Sequence, residues 1–470
     1  MFKKTITITF SIITFFAIGY VLIMIYPDFK APASSRENKK PIEVTLEFWG
    51  VWDNSDDWSK IIEKFENETY NFNGQEVNVS INYTKKEIGQ YENDLSYLKQ
   101  RDIEPNIFVI NNNWLEKYVD WLEPLNENNA YAEEYELIKY GEITDIFPTE
   151  TIRNLFFNNK LYGIPLYSDS LALFYNKDLF KDAKIDSPPK TWNEFKTAVR
   201  KLTDINRRNE IVRPGAALGC GANINRSSDI LALLMMQGGA KVIDGNRDID
   251  INKEIEVNTL NGIEKRNPGK KAIIFYTEFS DPKKNIYTWN NNQDDSIKAF
   301  AEGKVAMIIT YSYQIKKLLA LNSDLNYGVS PMPQLENSTI VNFANVWTPV
   351  VSKNNNCKIE PPEAHSKVDC AKIAWSFLSF VNEKENVKLY LDSAKKAAAR
   401  KDLIAEQIEL NNKISVFASQ AENAISYNKF DERIDGILIE MIDTINLDRE
   451  NWEKIVDEAV RKIEELKSKE

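Results

Sequence analysis

The side chains best suited to ligand binding follow three predicted strands at their carboxyl ends. In chain order they are Trp52, Asp53, Asn112, Asn113 and Tyr311. In open α/β sheets, ligands bind beyond the carboxyl ends of the strands. Flat aromatic rings cover the apolar C–H faces of a sugar, and Asp or Asn side chains hydrogen-bond to its hydroxyls. The set therefore favours a carbohydrate. An amino acid or peptide as ligand would need fixed protein charges for both of its termini, and phosphate would need Arg, Lys or a helix N-terminus. Neither arrangement is visible among these residues.

Two of these side-chain groups have a second interpretation. The run from Asn111 to Asn113 is also typical of a simple turn before a helix. Trp52 has polar neighbours, which favours exposure in a loop, although a Trp is more often part of a core. Both interpretations remain open from the residue pattern alone.

Strands and helices alternate in the pattern that must position these residues. Residues 42–49 alternate apolar and polar side chains, which predicts a strand with one buried face. Trp58, Ile61 and Phe65 then recur at helical spacing after Ser55. Residues 107–110 form a continuous apolar run, as in strands that are buried on both faces. Alternating strands and helices predict an α/β fold with mostly parallel sheets, and the pattern from residue 369 onward is largely helical.

Composition excludes several functional classes. The 470 residues are 43% apolar and 27% charged, which is ordinary for a globular protein, and the net charge of −11 disfavours a nucleic-acid partner. The chain has one histidine, His365, and its three cysteines lack a zinc-binding spacing. No motif calls for a metal or a cofactor.

The beginning of the chain predicts a membrane segment. Lys3 and Lys4 precede an uncharged run from Thr5 to Tyr26, which is long enough to span a hydrocarbon core of about 30 Å. We expect residues 1–26 to be an uncleaved anchor or a signal segment. The second alternative is kept open by a small-residue cleavage pattern at 31–33. Residues 27–41 are predicted to form a linker.

Several motifs, in order and spacing, resemble one known family. The run from Gly163 to Leu179 reads GIPLYSDSLALFYNKDL, and further landmarks are PKTWNEF from Pro189, AFAEGKVAM from Ala299 and YGV from Tyr327. Together these landmarks extend over roughly residues 43 to 350. The chain resembles the extracellular solute-binding proteins of ABC importers, in the branch that includes the maltose-binding protein.

This resemblance implies a two-lobed periplasmic-binding-protein-like fold of type II. Each lobe would be a mostly parallel sheet flanked by helices, with a helical C-terminal region and the N-terminal anchor. The ligand would lie in the cleft between the lobes. Carried onto this chain, the resemblance predicts lobe 1 at 42–112 plus 311–343, and lobe 2 at 113–310 plus 344–470.

The resemblance also implies further cleft residues and a function. It adds Tyr167, Asp169, Trp289 and Trp347 to the ligand-binding set. Asp169 is alternatively a cap for a local turn. We expect an exported, non-enzymatic protein on the outer face of the cell membrane that captures a sugar or oligosaccharide and delivers it to an ABC-type permease. An anchored carbohydrate sensor or scaffold, and a carboxylate-dependent glycoside hydrolase, remain the alternatives.

Two cysteines are expected to form a disulfide. Cys357 and Cys370 bracket a segment that contains proline and several charges and reads as an insertion. An exported protein meets an oxidising environment in which a disulfide persists. The alternative is that these two residues and Cys220 are reduced core residues.

Overall fold

The computed structural model of the protein describes residues 40–72, 75–125, 143–244, 246–259, 262–354, 356–427 and 429–468. The strands are β1 (Ile42–Gly50), β2 (Tyr70–Phe72), β3 (Gln75–Lys85), β4 (Ile107–Asn111), β5 (Phe156–Phe157), β6 (Lys160–Leu161), β7 (Asp169–Ser170), β8 (Ala172–Asn176), β9 (Asp204–Ile205), β10 (Ile211–Arg213), β11 (Ile255–Thr259), β12 (Gly262–Arg266), β13 (Met307–Thr310), β14 (Tyr327–Ser330), β15 (Asn342–Asn345), β16 (Trp347–Val351), β17 (Lys358–Glu360) and β18 (Ala424–Ile425).

The α-helices are α1 (Ser55–Glu66), α2 (Ile88–Lys99), α3 (Leu115–Tyr118), α4 (Ile143–Ile146), α5 (Thr149–Arg153), α6 (Lys177–Asp182), α7 (Trp192–Leu202), α8 (Ser227–Gln237), α9 (Pro268–Glu278), α10 (Ser296–Ala301), α11 (Gln314–Leu321), α12 (Cys370–Val381), α13 (Lys384–Ala394), α14 (Lys401–Glu409), α15 (Lys413–Gln420), α16 (Arg433–Leu447) and α17 (Trp452–Lys467). The predicted membrane segment at 1–26, and all of the linker except Lys40 and Pro41, lie outside the described residues. Within the part of the chain that is described, no helix combines the length and the apolar character needed to cross a membrane.

The first sheet has a parallel centre and antiparallel edges. Its strand order is β16-β4-β1-β3-β2, with β17 paired to β1. β1 runs parallel to β3 and β4, whereas β16 and β2 run antiparallel to their neighbours. The inward side chains of β1 are buried in alternation, and β4 is buried along its whole length, as the sequence pattern predicts.

Helix α1 covers this sheet and fixes the loop before it. Asn54 caps the helix through a reciprocal capping box with Asp57, and Trp58, Ile61 and Phe65 are buried beneath it. The loop between Gly50 and Asn54 is therefore short and held at both ends. This loop carries Trp52 and Asp53.

The second sheet corrects the expectation of a mostly parallel sheet in each lobe. Its order is β13-β8-β14, and both pairings are antiparallel. Alternation of helices and strands predicts their types but leaves their directions open. The long connection between β8 and β13 lets the chain re-enter the sheet from the opposite end. A Cβ at Gly328 of β14 would lie 2.3 Å from the ring of Tyr175 on β8, so a larger residue there would force this ring to move.

The expected lobe boundaries are also wrong at two places. β14, within the segment 311–343 that was assigned to lobe 1, pairs with β8 in the second sheet. β16, within the segment 344–470 that was assigned to lobe 2, pairs with β4 in the first sheet. The chain therefore passes from one half of the molecule to the other at Val346, between β15 and β16. The apolar run of β16 suits either core, so only strand pairing decides its place.

We call the two halves the first unit and the second unit. The first unit contains β1–β4, β16 and β17 with α1, α2, α3, α12 and α13. The second unit contains β7, β8, β13–β15 and β18 with α6–α11 and the helices from α14 onward. Cys357 and Cys370 form a disulfide in the first unit, with their Cα atoms 5.8 Å apart, which is the pair expected from the sequence. Cys220 is a buried free cysteine, and burial raises the pKa of its thiol to about 12.

Candidate functional site

A cavity of about 690 Å³ lies between the two units. From the first unit it is lined by Asn112, Asn113, Leu115 and Glu116. Its other lining residues are Glu150, Arg153, Asn154, Phe156, Met236, Gly239, Ala240, Lys241, Ile243, Asp244, Asn246, Ile425 and Ser426. Of the predicted ligand-binding residues, Asn112 and Asn113 lie on its wall.

Amide and hydroxyl side chains join the two walls of this cavity. Asn154 Nδ2 donates to Asn113 Oδ1 at 3.1 Å, and Asn112 Nδ2 lies 3.5 Å from Ser426 Oγ. Asn111 Oδ1 accepts from the backbone N–H of Asn113 at 3.1 Å, which fixes the turn after β4. Asn112 Oδ1 is buried without a partner among the described residues. Asn112 thus carries an acceptor that no described protein group satisfies.

The charged side chains around the cavity are mostly paired with opposite charges. Arg153 lies 2.5 Å from Glu150, and Arg247, beside the cavity, lies 3.0 Å from Glu116 of the first unit. The second of these pairs joins the two units at the rim. Carboxylates thus lie beside both arginines among the described residues, an arrangement less suited to an anion than a cluster of unpaired cations.

An aromatic cluster connects the two units at a second place. The ring of Trp52 stacks on Tyr313 with centroids 5.4 Å apart, and meets Trp347 edge-on at 5.4 Å. Trp347 in turn contacts Trp114 at 5.0 Å. The indole Nε1 groups of Trp52 and Trp347 are buried without hydrogen-bond partners among the described residues. Trp347 is the first residue of β16 rather than a loop residue, and it is 5% exposed.

Asp169 is a buried carboxylate at the second unit's side of the interface. Its oxygens accept from the backbone N–H groups of Ser170, Ser312 and Tyr313 at 2.9, 3.0 and 3.4 Å. Burial raises the pKa of Asp169 to about 6, against the opposing effect of those N–H groups and of Lys396. The carboxylate thus fixes the turn that carries Tyr313. A bond from a ligand hydroxyl to its remaining lone pairs stays a prediction.

Asp53 and Tyr167 meet at a buried lysine. Lys396 Nζ lies 2.5 Å from Asp53 Oδ1 and 3.6 Å above the ring of Tyr167. Asp53 Oδ2 accepts from the hydroxyl of Tyr390 at 2.8 Å. Asp53, expected to face a ligand, has both oxygens engaged by protein groups.

Two predicted ligand contacts, Trp289 and Tyr311, are fully buried and bonded to other protein groups. Trp289 is 0% exposed, and its Nε1 donates to Asn223 Oδ1 at 3.0 Å inside the second unit. The polar residues after it suggest exposure, but only the following turn is exposed while the indole packs inward. Tyr311 is also fully buried, and its hydroxyl donates to Asp229 at 2.6 Å. Its ring stacks on Tyr313 at 5.9 Å and supports that ring rather than lining the cavity.

Four residues of this interface were missed from the sequence: Asn154, Tyr313, Lys396 and Ser426. Tyr313 had a usable signal, because it lies two residues after Tyr311 in the turn that follows β13. The other three have no local motif, because they reach the interface through contacts with distant parts of the chain.

Comparison with known proteins agrees with this architecture. A galactooligosaccharide-binding protein of Bacillus subtilis is 26% identical over 61% of this chain and 58% of its own length. The maltodextrin-binding protein MdxE of the same organism is 30% identical over 42% of this chain and 44% of its own length. The chain thus spans about half the length of these curated relatives.

A solved structure extends the comparison to nearly the whole chain. The sugar-binding protein MalE of Xanthomonas citri superposes with a TM-score of 0.68 over 90% of this chain and 98% of its own, at 17% identity. At that identity the likeness concerns the fold, which is the two-lobed α/β fold of periplasmic binding proteins. The family model for bacterial extracellular solute-binding proteins matches residues 52–388. The chain therefore belongs to the family of bacterial extracellular solute-binding proteins.

Proposed function

We propose that this protein captures a sugar or oligosaccharide between its two units and delivers it to the permease of an ABC importer. The observation that carries the proposal is the cavity of about 690 Å³ with amide groups from both units on its wall. A cavity of this size suits a ligand of a few sugar rings. Membership of the solute-binding family and the names of the relatives support the same ligand class.

The hydrogen-bonding groups at the interface fit hydroxyls. Asn112 Oδ1 offers an acceptor, and the Nε1 groups of Trp52 and Trp347 offer donors without partners among the described residues. A sugar hydroxyl is both donor and acceptor, so one ligand type satisfies all three groups. Burying such groups unpaired costs free energy, which a bound polyol recovers.

The aromatic cluster fits the apolar face of a sugar ring. Trp52 and Tyr313 are half-buried and approach each other from opposite units. A ring bound beside them replaces water on their open faces. Because each unit supplies one ring, ligand binding and the approach of the two units support each other.

The charges favour a neutral ligand, and binding leaves it chemically unchanged. Glu150 pairs with Arg153, Glu116 pairs with Arg247, and Lys241 is close enough to Asp244 to interact with it electrostatically. An anionic sugar would have to compete with these carboxylates for the basic groups. The relatives are described as binding proteins. We expect the bound sugar to be recovered intact.

Export and tethering complete the proposal. The solute-binding family is extracellular, so the folded part is placed outside the cytoplasm. Residues 1–26 are proposed as the membrane anchor and 27–41 as the linker, on the uncharged run from Thr5 to Tyr26. This arrangement keeps the binding protein close to its permease.

A thermal-shift screen tests the ligand class. The purified protein is heated with mono- and oligosaccharides, and with amino acids, phosphate and dipeptides as matched non-sugar ligands. A sugar that binds the folded state raises the melting temperature by mass action, and calorimetry then gives its affinity. Incubation followed by chromatography should return the sugar unchanged. A shift caused only by a non-sugar ligand contradicts the proposal, and so does cleavage of the sugar.

A further inference from the structure

A chain of ion pairs joins the start of α8 to the start of α16 in the second unit. Arg226, just before α8, lies 2.7 Å from Asp229 and 3.3 Å from Asp435 of α16. Lys429 lies 3.1 Å from Asp435 and 3.1 Å from Glu432. We call these five residues the ion-pair chain. Asp229 and Lys429 are 1% and 7% exposed, and buried charges of this kind are tolerated only while they are paired.

The two ends of the ion-pair chain bond to the aromatic cluster at the interface. At one end, the hydroxyl of Tyr311 donates to Asp229 at 2.6 Å. At the other end, Nε1 of Trp114 donates to Glu432 at 3.0 Å. Both rings are buried, so water competes little for their polar groups.

Between these two ends the rings contact one another without a break. Tyr311 stacks on Tyr313, and Tyr313 stacks on Trp52, with centroids 5.9 and 5.4 Å apart. Trp52 meets Trp347, and Trp347 meets Trp114, at 5.4 and 5.0 Å. Ring contacts occur over a broad range of offsets, so they do not by themselves fix where a ring lies. Hydrogen bonds have a narrower geometry and supply that direction at both ends.

The backbone of Arg226 is unusual in a way that agrees with a positioning role. Its φ is 57°, in the left-handed region that residues other than glycine adopt uncommonly. Such a conformation persists only where surrounding contacts hold it, and the pairs with Asp229 and Asp435 are contacts of this kind.

We propose that Asp229 and Glu432 are positioning residues of the proposed sugar site, and that the ion-pair chain holds them so that the rings of Trp52 and Trp114 occupy fixed places. The role in binding rests on the proposed function, whereas the ring positions are a property of the protein alone. A sugar then meets rings that are already ordered, which lowers the entropic cost of binding.

Fluorine NMR of the sugar-free, full-length protein tests the ring positions. Fluorotryptophan replaces the ten tryptophans, and Trp52→Phe and Trp114→Phe assign the two resonances of interest. Tyr311→Phe removes the hydroxyl at one end of the ion-pair chain. Tyr276→Phe is its matched control, because that hydroxyl is also buried in the second unit and donates to Cys220 O at 2.8 Å.

Glu432→Ala removes the bond at the other end of the ion-pair chain. Its matched control is Glu440→Ala, which removes an ion pair with Lys462 from the adjoining helix α16. Asp435→Asn interrupts the middle of the ion-pair chain. Circular dichroism verifies that each variant is folded.

We expect Tyr311→Phe to shift and broaden the resonance of Trp52, and Glu432→Ala to do the same to that of Trp114. Asp435→Asn should change both resonances. The two control variants should leave both resonances in place.

The sugar found in the thermal-shift screen tests the role in binding. Tyr311→Phe should lower its affinity by up to roughly tenfold, the contribution of one hydrogen bond, because the sugar must now order the rings. Tyr276→Phe should leave the affinity within about twofold. Isothermal calorimetry measures both.

An unchanged Trp52 resonance in folded Tyr311→Phe would overturn the proposal, and so would an equal change in Tyr276→Phe. An unchanged Trp114 resonance in Glu432→Ala overturns it as well, and this half-buried position decides alone where the buried variants do not fold. A change of only one resonance in Asp435→Asn replaces the single ion-pair chain by two separate supports.

Unchanged sugar affinity in Tyr311→Phe, together with a shifted Trp52 resonance, removes the role in binding. A screen that finds no sugar contradicts the proposed function instead, and the sugar-free spectra still decide the ring positions. The two proposals therefore fail independently.

Discussion

Trp52 is a proposed ligand contact that touches both units. It is half-buried and stacks on Tyr313 of the second unit, and its Nε1 has no hydrogen-bond partner within the described part of the chain. Trp121 is a half-buried tryptophan of the same unit that packs edge-on against Tyr118, away from the cavity. Comparing substitutions of Trp52 and Trp121 therefore separates the effect of losing the contact between the units from the general effect of removing an indole.

Replacing Trp52 by Ala should weaken binding of the sugar found in the screen by about 2 kcal/mol, or roughly 30-fold, because an aromatic ring that stacks at the interface is removed. Trp121→Ala should leave the affinity within about twofold of the unsubstituted protein. Isothermal calorimetry measures both. Equal affinities of the two variants would place Trp52 outside the binding site.

Asp169 should make stability depend on pH. Its pKa is about 6 in the folded protein, against an ordinary value of 3.8 for an aspartate. The folded state therefore holds the proton more tightly, and this group's contribution is fully present below about pH 4 and declines as the pH rises through about 6. In Asp169→Asn the amide oxygen keeps the two short backbone hydrogen bonds but does not titrate.

We expect the stability of Asp169→Asn, relative to the unsubstituted protein, to increase by up to about 3 kcal/mol between pH 4 and pH 7. Urea unfolding of both proteins across this range measures the difference. A difference that is constant with pH would mean that Asp169 titrates normally in the folded state.

At the scale of elements, two glycines in helices differ in how closely other parts of the backbone approach them. Gly269 lies in the first turn of α9, and a Cβ there would stand 2.1 Å from the backbone oxygen of Ile251. Gly436 is exposed in α16, and a Cβ there would meet nothing within 4 Å.

Gly269→Ala should therefore destabilise the fold by about 1–3 kcal/mol, because backbone rather than a flexible side chain must move. Gly436→Ala should stabilise it by up to about 1 kcal/mol, since alanine is the better helix former. Chemical denaturation checks both signs. Destabilisation by both substitutions would indicate that the space around Gly436 is not open.

The disulfide stabilises the junction between β17 and α12. Closing the loop between Cys357 and Cys370 should contribute about 3 kcal/mol by restricting the unfolded chain. Mass spectrometry of the unfolded, alkylated, non-reduced protein should show one modified cysteine, Cys220. Three modified cysteines would contradict the bridge. As a control, reductant should lower the stability of the native protein but not that of the Cys357→Ala/Cys370→Ala variant.

At the scale of the whole molecule, the proposed anchor predicts where the protein resides. In expressing cells, the protein should sediment with membranes after a high-salt wash, because an uncharged helix is held by lipid rather than by charge. Its mass should include residues 1–26. A released protein whose mass begins after residue 33 would instead show that the segment is a cleaved signal.

Local order in this protein could be predicted from the sequence because it depends on near neighbours. The alternation in β1, the buried run of β4 and the helical spacing of α1 each arise from residues a few positions apart. The same reasoning located Asn112 and Asn113 at the end of β4, where they line the cavity. Strand ends are visible in a periodic pattern, so residues just beyond them can be identified.

Side-chain burial after a strand or turn was less predictable. Trp52 and Trp289 both have polar neighbours, yet one is half-buried at the interface and the other fully enclosed. The difference lies in what packs above each indole, and those groups come from other segments. Lys396 shows the same limit, since its charged neighbours in the chain favour a solvated face while its side chain is buried against Asp53.

The sequence by itself determined the types of the elements, the ends of the central strands and the family to which the motifs belong. Only the tertiary structure decided that the second sheet is antiparallel and that β16 joins β4 in the first sheet. It also decided which groups meet in the cleft, such as Tyr390 and Asp53, which are 337 residues apart. Periodicity records the environment of a segment but not its partner, because the choice among many apolar strands and buried charges is made by packing of the whole chain.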